Sequence, residues 1–252
     1  MAYLLGIDTG GTYTDAVILD EASDAIVSTA KTLTTRPDLA LGVGNAMDAV
    51  LKGVPPKEIG MVALSTTLAT NALVEGQGGR VALVFVGFAP AELERGGLRE
   101  ALRGDPVIIL TGGHNHAGAE AAPLDLTALT YALTSPDPHI TGYAVTASFA
   151  TRNPAHEIAA RDLIRTMTGK PVTCSHELSA ALGGPKRALT AVLNARLIGM
   201  IDGLITACET HMAAKGIAAR LFVVRGDGAL VSAQVAREKP IETILSGPAA
   251  SV

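Results

Sequence analysis

The sequence predicts an α/β fold in which helices flank a mixed sheet. Two observations lead there. Short apolar runs such as Met61–Leu64 and Arg80–Gly87 (RVALVFVG) have strand length and lack the polar alternation of half-exposed strands, the pattern of strands covered on both faces. The 252 residues are 48% hydrophobic and 17% charged, with 27 glycines, which is enough apolar material for one large domain or two modest ones.

The first elements are the most informative. Tyr3 to Asp8 reads as a strand ending on a carboxylate, Thr9-Gly10-Gly11-Thr12 as a tight turn, and Tyr13 to Leu19 as a returning strand. Paired glycines between apolar runs signal a hairpin, because glycine reaches φ > 0 without a Cβ clash. At Gly10 and Gly11 a ligand can approach the bare backbone, and successive N–H groups in such a turn form a concavity suited to phosphate. Thr9, Thr12 and Thr14 add hydroxyls around it. Asp8 and Asp15 flank the turn, where carboxylates would repel a phosphate. A Mg²⁺ ion between them removes the conflict, since it takes one or two carboxylates together with waters and phosphate oxygens. An ordinary edge hairpin would need the Gly-Gly but neither the acids nor the threonines. A third strand follows near Ala25–Leu33. A helix then runs from Pro37-Asp38-Leu39 to about Lys52, with Leu39, Val43, Met47 and Val50 on one face and Gly53 beyond its end. Three consecutive strands and a helix are the opening of a ribonuclease-H-like lobe.

After the strand Met61–Leu64, Ser65 or Thr66 is placed to cap a short helix. Thr67 and Asn71, four residues apart, share one face of it, either toward solvent or toward a cleft between lobes. Beyond the strand Arg80–Gly87 periodicity fades, and residues of about 88–123 read as an insertion with one short helix and one strand, Val107–Leu110. His114-x-His116 lies in its glycine loop without a third ligand at a recognisable spacing, so a solvated loop is the expectation. A helix near Leu126–Leu133, a strand Ile140–Phe149, a helix Ala155–Met167 and a strand Val172–Cys174 complete this part. His156-Glu157 opens the second of these helices and is no zinc-protease motif, because residue 160 is Ala. Gly183-Gly184-Pro185 marks the expected boundary between a first lobe, 1–183, and the beginning of a second, 184–252. A helix of ~30 residues follows, with Leu189, Leu193, Leu197, Met200, Leu204 and Ala207 along one face. A strand Arg220–Val224, a turn Arg225–Gly228 and a glycine–proline loop, Leu245–Ala249, close the chain.

Several functions are disfavoured. A net charge of −4 without a Lys/Arg run does not suit nucleic acid. No apolar run approaches the ~20 residues that span a bilayer, and Tyr3–Ile7 is too short for a secretory signal. Cys174 and Cys208 stand far apart and read as buried thiols in a reducing cytoplasm. A dinucleotide-binding G-x-G-x-x-G would lead into a helix, whereas this turn leads into a strand. The nearest approach to a P-loop, at Gly169-Lys170, has Ile164 in place of its first glycine.

The hairpin resembles the first phosphate hairpin of actin-like ATPases. Together with STTLATNAL (Ser65–Leu73), NPAHE (Asn153–Glu157), SHEL (Ser175–Leu178), LTAVLNARL (Leu189–Leu197), RGDGALVS and ILSGPAAS, it resembles the hydantoinase/oxoprolinase family, specifically the N-terminal portion of the hydantoinase A type. The resemblance implies a two-lobe actin-like ATPase fold and ATP-dependent opening of a small cyclic amide such as a hydantoin or 5-oxoproline. By it, Gly10, Gly11 and Thr12 hold phosphate, Asp8 and Asp15 organise Mg²⁺ and water, and Thr66, Thr67 and Asn71 match a polar-helix motif. It also implies a hydantoinase B-type subunit or domain as partner. Where the family carries His-Gly before its paired threonines, this chain has Leu64-Ser65. A second Asp-x-Gly-Gly-Thr motif, expected further along such proteins, is absent, so the chain is expected to be an N-terminal piece with half an ATP site, inactive alone. An ATP-dependent carboxylase subunit acting on a small ketone, a small-molecule kinase and a non-catalytic assembly module are the alternatives.

Overall fold

The computed structural model describes residues 2–35, 39–135, 137–244 and 246. In chain order its first half contains β1 (Tyr3–Thr9), β2 (Tyr13–Asp20), β3 (Ala25–Leu33), α1 (Leu39–Val50), β4 (Ile59–Thr66), α2 (Leu68–Glu75), β5 (Arg80–Val86), α3 (Leu98–Leu102) and β6 (Val107–Leu110). There follow α4 (Leu126–Leu133), β7 (Ile140–Ala147), α5 (Ala155–Thr168), β8 (Val172–Cys174), α6 (Gly184–Lys215), β9 (Arg220–Val224), β10 (Leu230–Ser232) and α7 (Ala233–Glu238). Pro37 and Asp38, expected to open α1, and all of the closing glycine–proline loop except Ser246 lie outside the described residues.

The chain divides into two units, one running to Gln77 and resuming at Met200, the other spanning Gly78–Gly199. The first is built on a six-stranded sheet of order β10-β9-β4-β1-β2-β3. Strands β1, β2 and β3 form an antiparallel meander, while β4 and β9 run parallel to β1 and to each other. This is the ribonuclease-H-like arrangement that the opening elements predict. Alternation divides the faces of the sheet. Leu5, Ile7, Ala16 and Ile18 are buried on the side covered by α1, against Val43, Met47 and Val50. Gly42 lets that helix approach, since a Cβ there would lie 3.2 Å from the carbonyl oxygen of Leu33.

The second unit has an all-parallel sheet of order β6-β5-β7-β8. Parallel sheets of this kind are covered on both faces, which accounts for the unbroken burial of Val81–Val86. On one face Leu129, Leu133, Ala160 and Ile164 pack against Val84, Val86, Val145 and Ala147. On the other, Leu98, Leu102, Ala188 and Val192 meet Leu83, Phe85 and Ala144.

Four expectations are corrected. The division does not fall at Gly183–Gly184: β9 comes after the long helix and pairs with β4, so residues from 200 onward complete the first sheet instead of starting a second lobe. The segment 88–123 is likewise no appendage, because β6 is a strand of the second unit's sheet and Leu93, Leu98 and Leu102 belong to its core. Finally, α6 buries Leu197 and Leu204 as expected, together with Ala188, Ala191, Val192, Ala195, Ile201, Ile205, Cys208 and Met212, while Leu189, Leu193, Met200 and Ala207 are only partly covered. The larger leucines mislead about the phase, because small residues make the close contacts. This helix is long and apolar enough to cross a membrane by length and composition, with a mean hydropathy of 1.5 over its best window, contrary to the expectation for apolar runs. More than half of that window, 56%, is buried in the structure, as in the core helix of a folded domain.

A buried polar anchor ties the second unit together. The carboxylate of Glu157, fully buried in the first turn of α5, accepts hydrogen bonds from the Ala147 N–H (2.8 Å), the Ser175 hydroxyl (2.6 Å), the His176 N–H (3.0 Å) and the His176 ring. Arg187 of α6, also buried, donates to Ser175 Oγ (3.2 Å) and to the carbonyl of Ala147 (2.8 Å). Removing one member leaves several groups desolvated and unpaired. Glu157→Ala is therefore expected to lower the unfolding free energy by about 3–5 kcal/mol, measured by urea denaturation; a loss under about 1 kcal/mol would contradict the anchor.

Candidate functional site

The candidate site lies in the first unit, where β1 turns into β2. The N–H of Gly10 donates to the carbonyl of Tyr13 at 2.9 Å and closes the turn. Gly10 does not use positive φ, contrary to expectation; glycine suits the position because a Cβ would lie 3.0 Å from the Tyr13 carbonyl oxygen, a contact that only a shift of the hairpin would relieve. The start of α2 is hooked onto the same turn. Both the Thr66 hydroxyl (2.9 Å) and the Thr67 N–H (3.1 Å) donate to the carbonyl of Thr9. Asn71 Nδ2 donates to Thr67 Oγ1 at 3.3 Å. With that oxygen accepting, the Thr67 hydroxyl proton remains available beside Gly10.

Strand β4 is longer than the sequence suggests and includes Ser65 and Thr66. Ser65 therefore caps nothing. Thr66 does, its Oγ1 accepting from the Leu68 N–H at 3.0 Å. Ser246 clasps Thr66 as well, donating to its carbonyl (2.8 Å) and accepting from its N–H (3.2 Å).

The two acids face each other across β1 and β2, Asp8 opposite Asp15 in register. Like charges directly opposed are destabilising, and each has its own compensation. The Ser65 hydroxyl donates to Asp8 Oδ1 at 2.6 Å. Lys31 Nζ lies 3.2 Å from Asp15 Oδ1, with both side chains about half exposed. Asp8, Asp15 and Ser65 line a cavity of about 610 Å³, floored by small residues including Gly6 and Ala63. That volume is within the range of small-molecule sites.

Of the hydroxyls assigned to the turn, Thr12 is exposed at the tip. Thr9 and Thr14 are fully buried. Thr14 is engaged with Thr34 Oγ1 at 2.9 Å, whereas Thr9 Oγ1 finds no partner among the described residues. An all-oxygen donor set containing two carboxylates fits a hard cation such as Mg²⁺.

His114, His116, His156 and His176 belong to the other unit. His116 is exposed and His114 buried, so the pair does not converge as ligands. His156 Nδ1 accepts from the Gly113 N–H at 2.9 Å, which leaves Nε2 to donate to Glu120 Oε1 at 2.9 Å. Glu157, Cys174 and His176 bring potential ligand atoms within 4.8 Å of one another. Both Glu157 oxygens are already occupied, however, and burial pushes the Cys174 thiol up, disfavouring the thiolate a metal needs. The cluster is structural. Sequence reasoning missed Ser65 as a partner of Asp8, Lys31 as that of Asp15, and Ser246, because each contact joins residues distant in sequence. Gly10→Ala is expected to destabilise the chain by about 1–3 kcal/mol through forced displacement of the hairpin, read as a lower Tm; an unchanged Tm would contradict the close approach.

Residues 4–168 match the hydantoinase/oxoprolinase N-terminal region and residues 187–252 match hydantoinase/oxoprolinase. The chain is 28% identical over 270 residues to the caprolactamase subunit alpha of Pseudomonas jessenii, covering 99% of this chain and 39% of that protein. It is 29% identical over 283 residues to the acetophenone carboxylase gamma subunit of Aromatoleum aromaticum, covering 98% and 38%. Among solved structures, the ATP-dependent caprolactamase of P. jessenii superimposes with a TM-score of 0.81 at 25% identity, over 98% of this chain and 39% of the other. Nucleotide-free acetone carboxylase, at 20% identity, shares the fold with a TM-score of 0.78, again over 98% and 39%. The chain thus spans about two fifths of the length of these relatives.

Proposed function

Because the chain belongs to the hydantoinase/oxoprolinase family, we propose that it forms one wall of an ATP site in an enzyme that activates a carbonyl-type oxygen by phosphorylation, with a small cyclic amide as the substrate. The observation carrying this reading is the glycine turn set between Asp8 and Asp15 at the rim of one cavity.

An amide carbonyl is a poor electrophile, and its oxygen is a poor leaving group. In the reaction we propose, that oxygen attacks the γ-phosphorus of ATP. The new O–P bond forms as the bond to the β-phosphate oxygen breaks, and ADP departs. Water then adds to the activated carbon, the ring C–N bond breaks to release the amine and leave an acyl phosphate, and a second water hydrolyses that acyl phosphate to the carboxylate and phosphate. Transfer of this kind is largely a matter of positioning and charge stabilisation. The Gly10 turn brings bare backbone to the phosphates, with the Thr67 hydroxyl as a nearby donor. Asp8 and Asp15 would hold Mg²⁺, which when bound neutralises phosphate charge. Thr66 and Asn71 act through Thr67 and the turn. The subunit designations of the relatives support a partner, which we take to be a hydantoinase B-type subunit or domain carrying the later steps.

The similarity to acetophenone carboxylase gamma supports a second reading, ATP-dependent carboxylation of a small ketone, with the same phosphate chemistry applied to bicarbonate. The two are separated by supplying the partner and following phosphate release with a cyclic amide, or with bicarbonate and a ketone. Stimulation by the amide alone is expected; stimulation by the ketone pair alone would transfer the assignment. In either assay Asp8→Ala is expected to reduce turnover on the order of 100-fold or more while leaving the Tm near that of the unaltered protein. Retained turnover would contradict the role of Asp8.

A further inference from the structure

We propose that Ser65 is a positioning residue for Asp8, fixing one carboxylate oxygen so that the other is presented to the cation; this rests on the metal reading of the site given above. The parallel register of β1 and β4 sets Ser65 directly beside Asp8, and the 2.6 Å hydrogen bond joins two strands that meet only through tertiary pairing. Ser65 is 3% exposed, so its hydroxyl has few alternatives; among the described residues its other acceptor is the Ile7 carbonyl, at 3.5 Å. Asp8 Oδ2 accepts no hydrogen bond among the described residues, and Asp8 lines the cavity.

The two acids are therefore not equivalent. Asp15 is paired with a half-exposed lysine, a pairing that solvent screens. Asp8 is held by a short, part-buried, charge-assisted hydrogen bond from a serine that is itself buried. A neutral donor on Asp8 restrains the carboxylate without cancelling its charge, whereas Lys31 partly cancels that of Asp15. The geometry thus makes Asp8 the principal cation ligand of the pair and Ser65 the group that orients it, in the manner of the outer partners that orient metal-bound carboxylates.

The test is titration of the chain with Mn²⁺ alone, following the loss of the free-ion EPR signal. Ser65→Ala is expected to weaken Mn²⁺ binding about tenfold or more, and Ser65→Thr, which keeps the hydroxyl, to restore most of it, with Tm values close to that of the unaltered chain. Asp8→Ala is expected to abolish binding at the site. If Ser65→Ala binds normally while Asp8→Ala does not, the positioning role is overturned and the metal reading stands. Equal loss in Ser65→Ala and Ser65→Thr would mark a packing role and also overturn it. Normal binding by Asp8→Ala, or none by the unaltered chain, would remove the metal reading and the inference together.

Discussion

The junction of β4 and α2 holds the candidate site together. Within three residues, Ser65 restrains Asp8, Thr66 bonds to the carbonyl of Thr9 and caps α2, and Thr67 donates its N–H to that same carbonyl. A β-hairpin is marginally stable by itself, and a glycine tip lacks side chains to stiffen it. Here the stiffness comes from outside the hairpin, through the parallel strand beside it and through Ser246, which clasps Thr66 from the far end of the chain. The turn can stay bare toward a ligand because its backbone is held from the other side by Thr66 and Thr67.

The same pairing separates structural from chemical duties. Alternation along β1 sends Leu5, Ile7 and Thr9 to the helix-covered face and Gly6 and Asp8 to the other. Burial of the first set stabilises the sheet, so the second set can remain small or charged. Two opposed carboxylates are unfavourable for the apo protein, and their retention on a face with free volume is what points toward a cation and phosphate. The second unit shows the contrasting use of charge. Glu157 and Arg187 are as buried as any leucine, and their hydrogen-bonding capacity is taken up by backbone and neighbouring side chains. The histidine and cysteine beside them complete a scaffold.

Local features were readable in the sequence. The strand–turn–strand opening, the acids on either side of the tip and the polar Thr67–Asn71 pair all depend on residues close in sequence. Long-range pairing was less accessible. Nothing local reveals that β9 returns to β4, so the boundary at Gly183 followed from punctuation that in fact only starts α6. The phase of that helix was misjudged because leucine outweighs alanine in an apolar count, while close packing against the sheets favours Ala188, Ala191 and Ala195. Gly10 was assigned to the right position for the wrong reason: the constraint is a neighbouring carbonyl and not the sign of φ. Ser65 looked like a helix cap, and only the register with β1 identifies its partner.

The central claim is that the Gly10–Gly11 turn receives the phosphates of a nucleotide. The most direct measurement is an amide-resolved NMR titration of the ¹⁵N-labelled chain with Mg²⁺ and a non-hydrolysable ATP analogue. The account predicts saturable shifts of the Gly10, Gly11, Thr12 and Thr67 amides, with those of the second sheet unmoved. Saturable shifts confined to residues 78–199, with the turn silent, would contradict it.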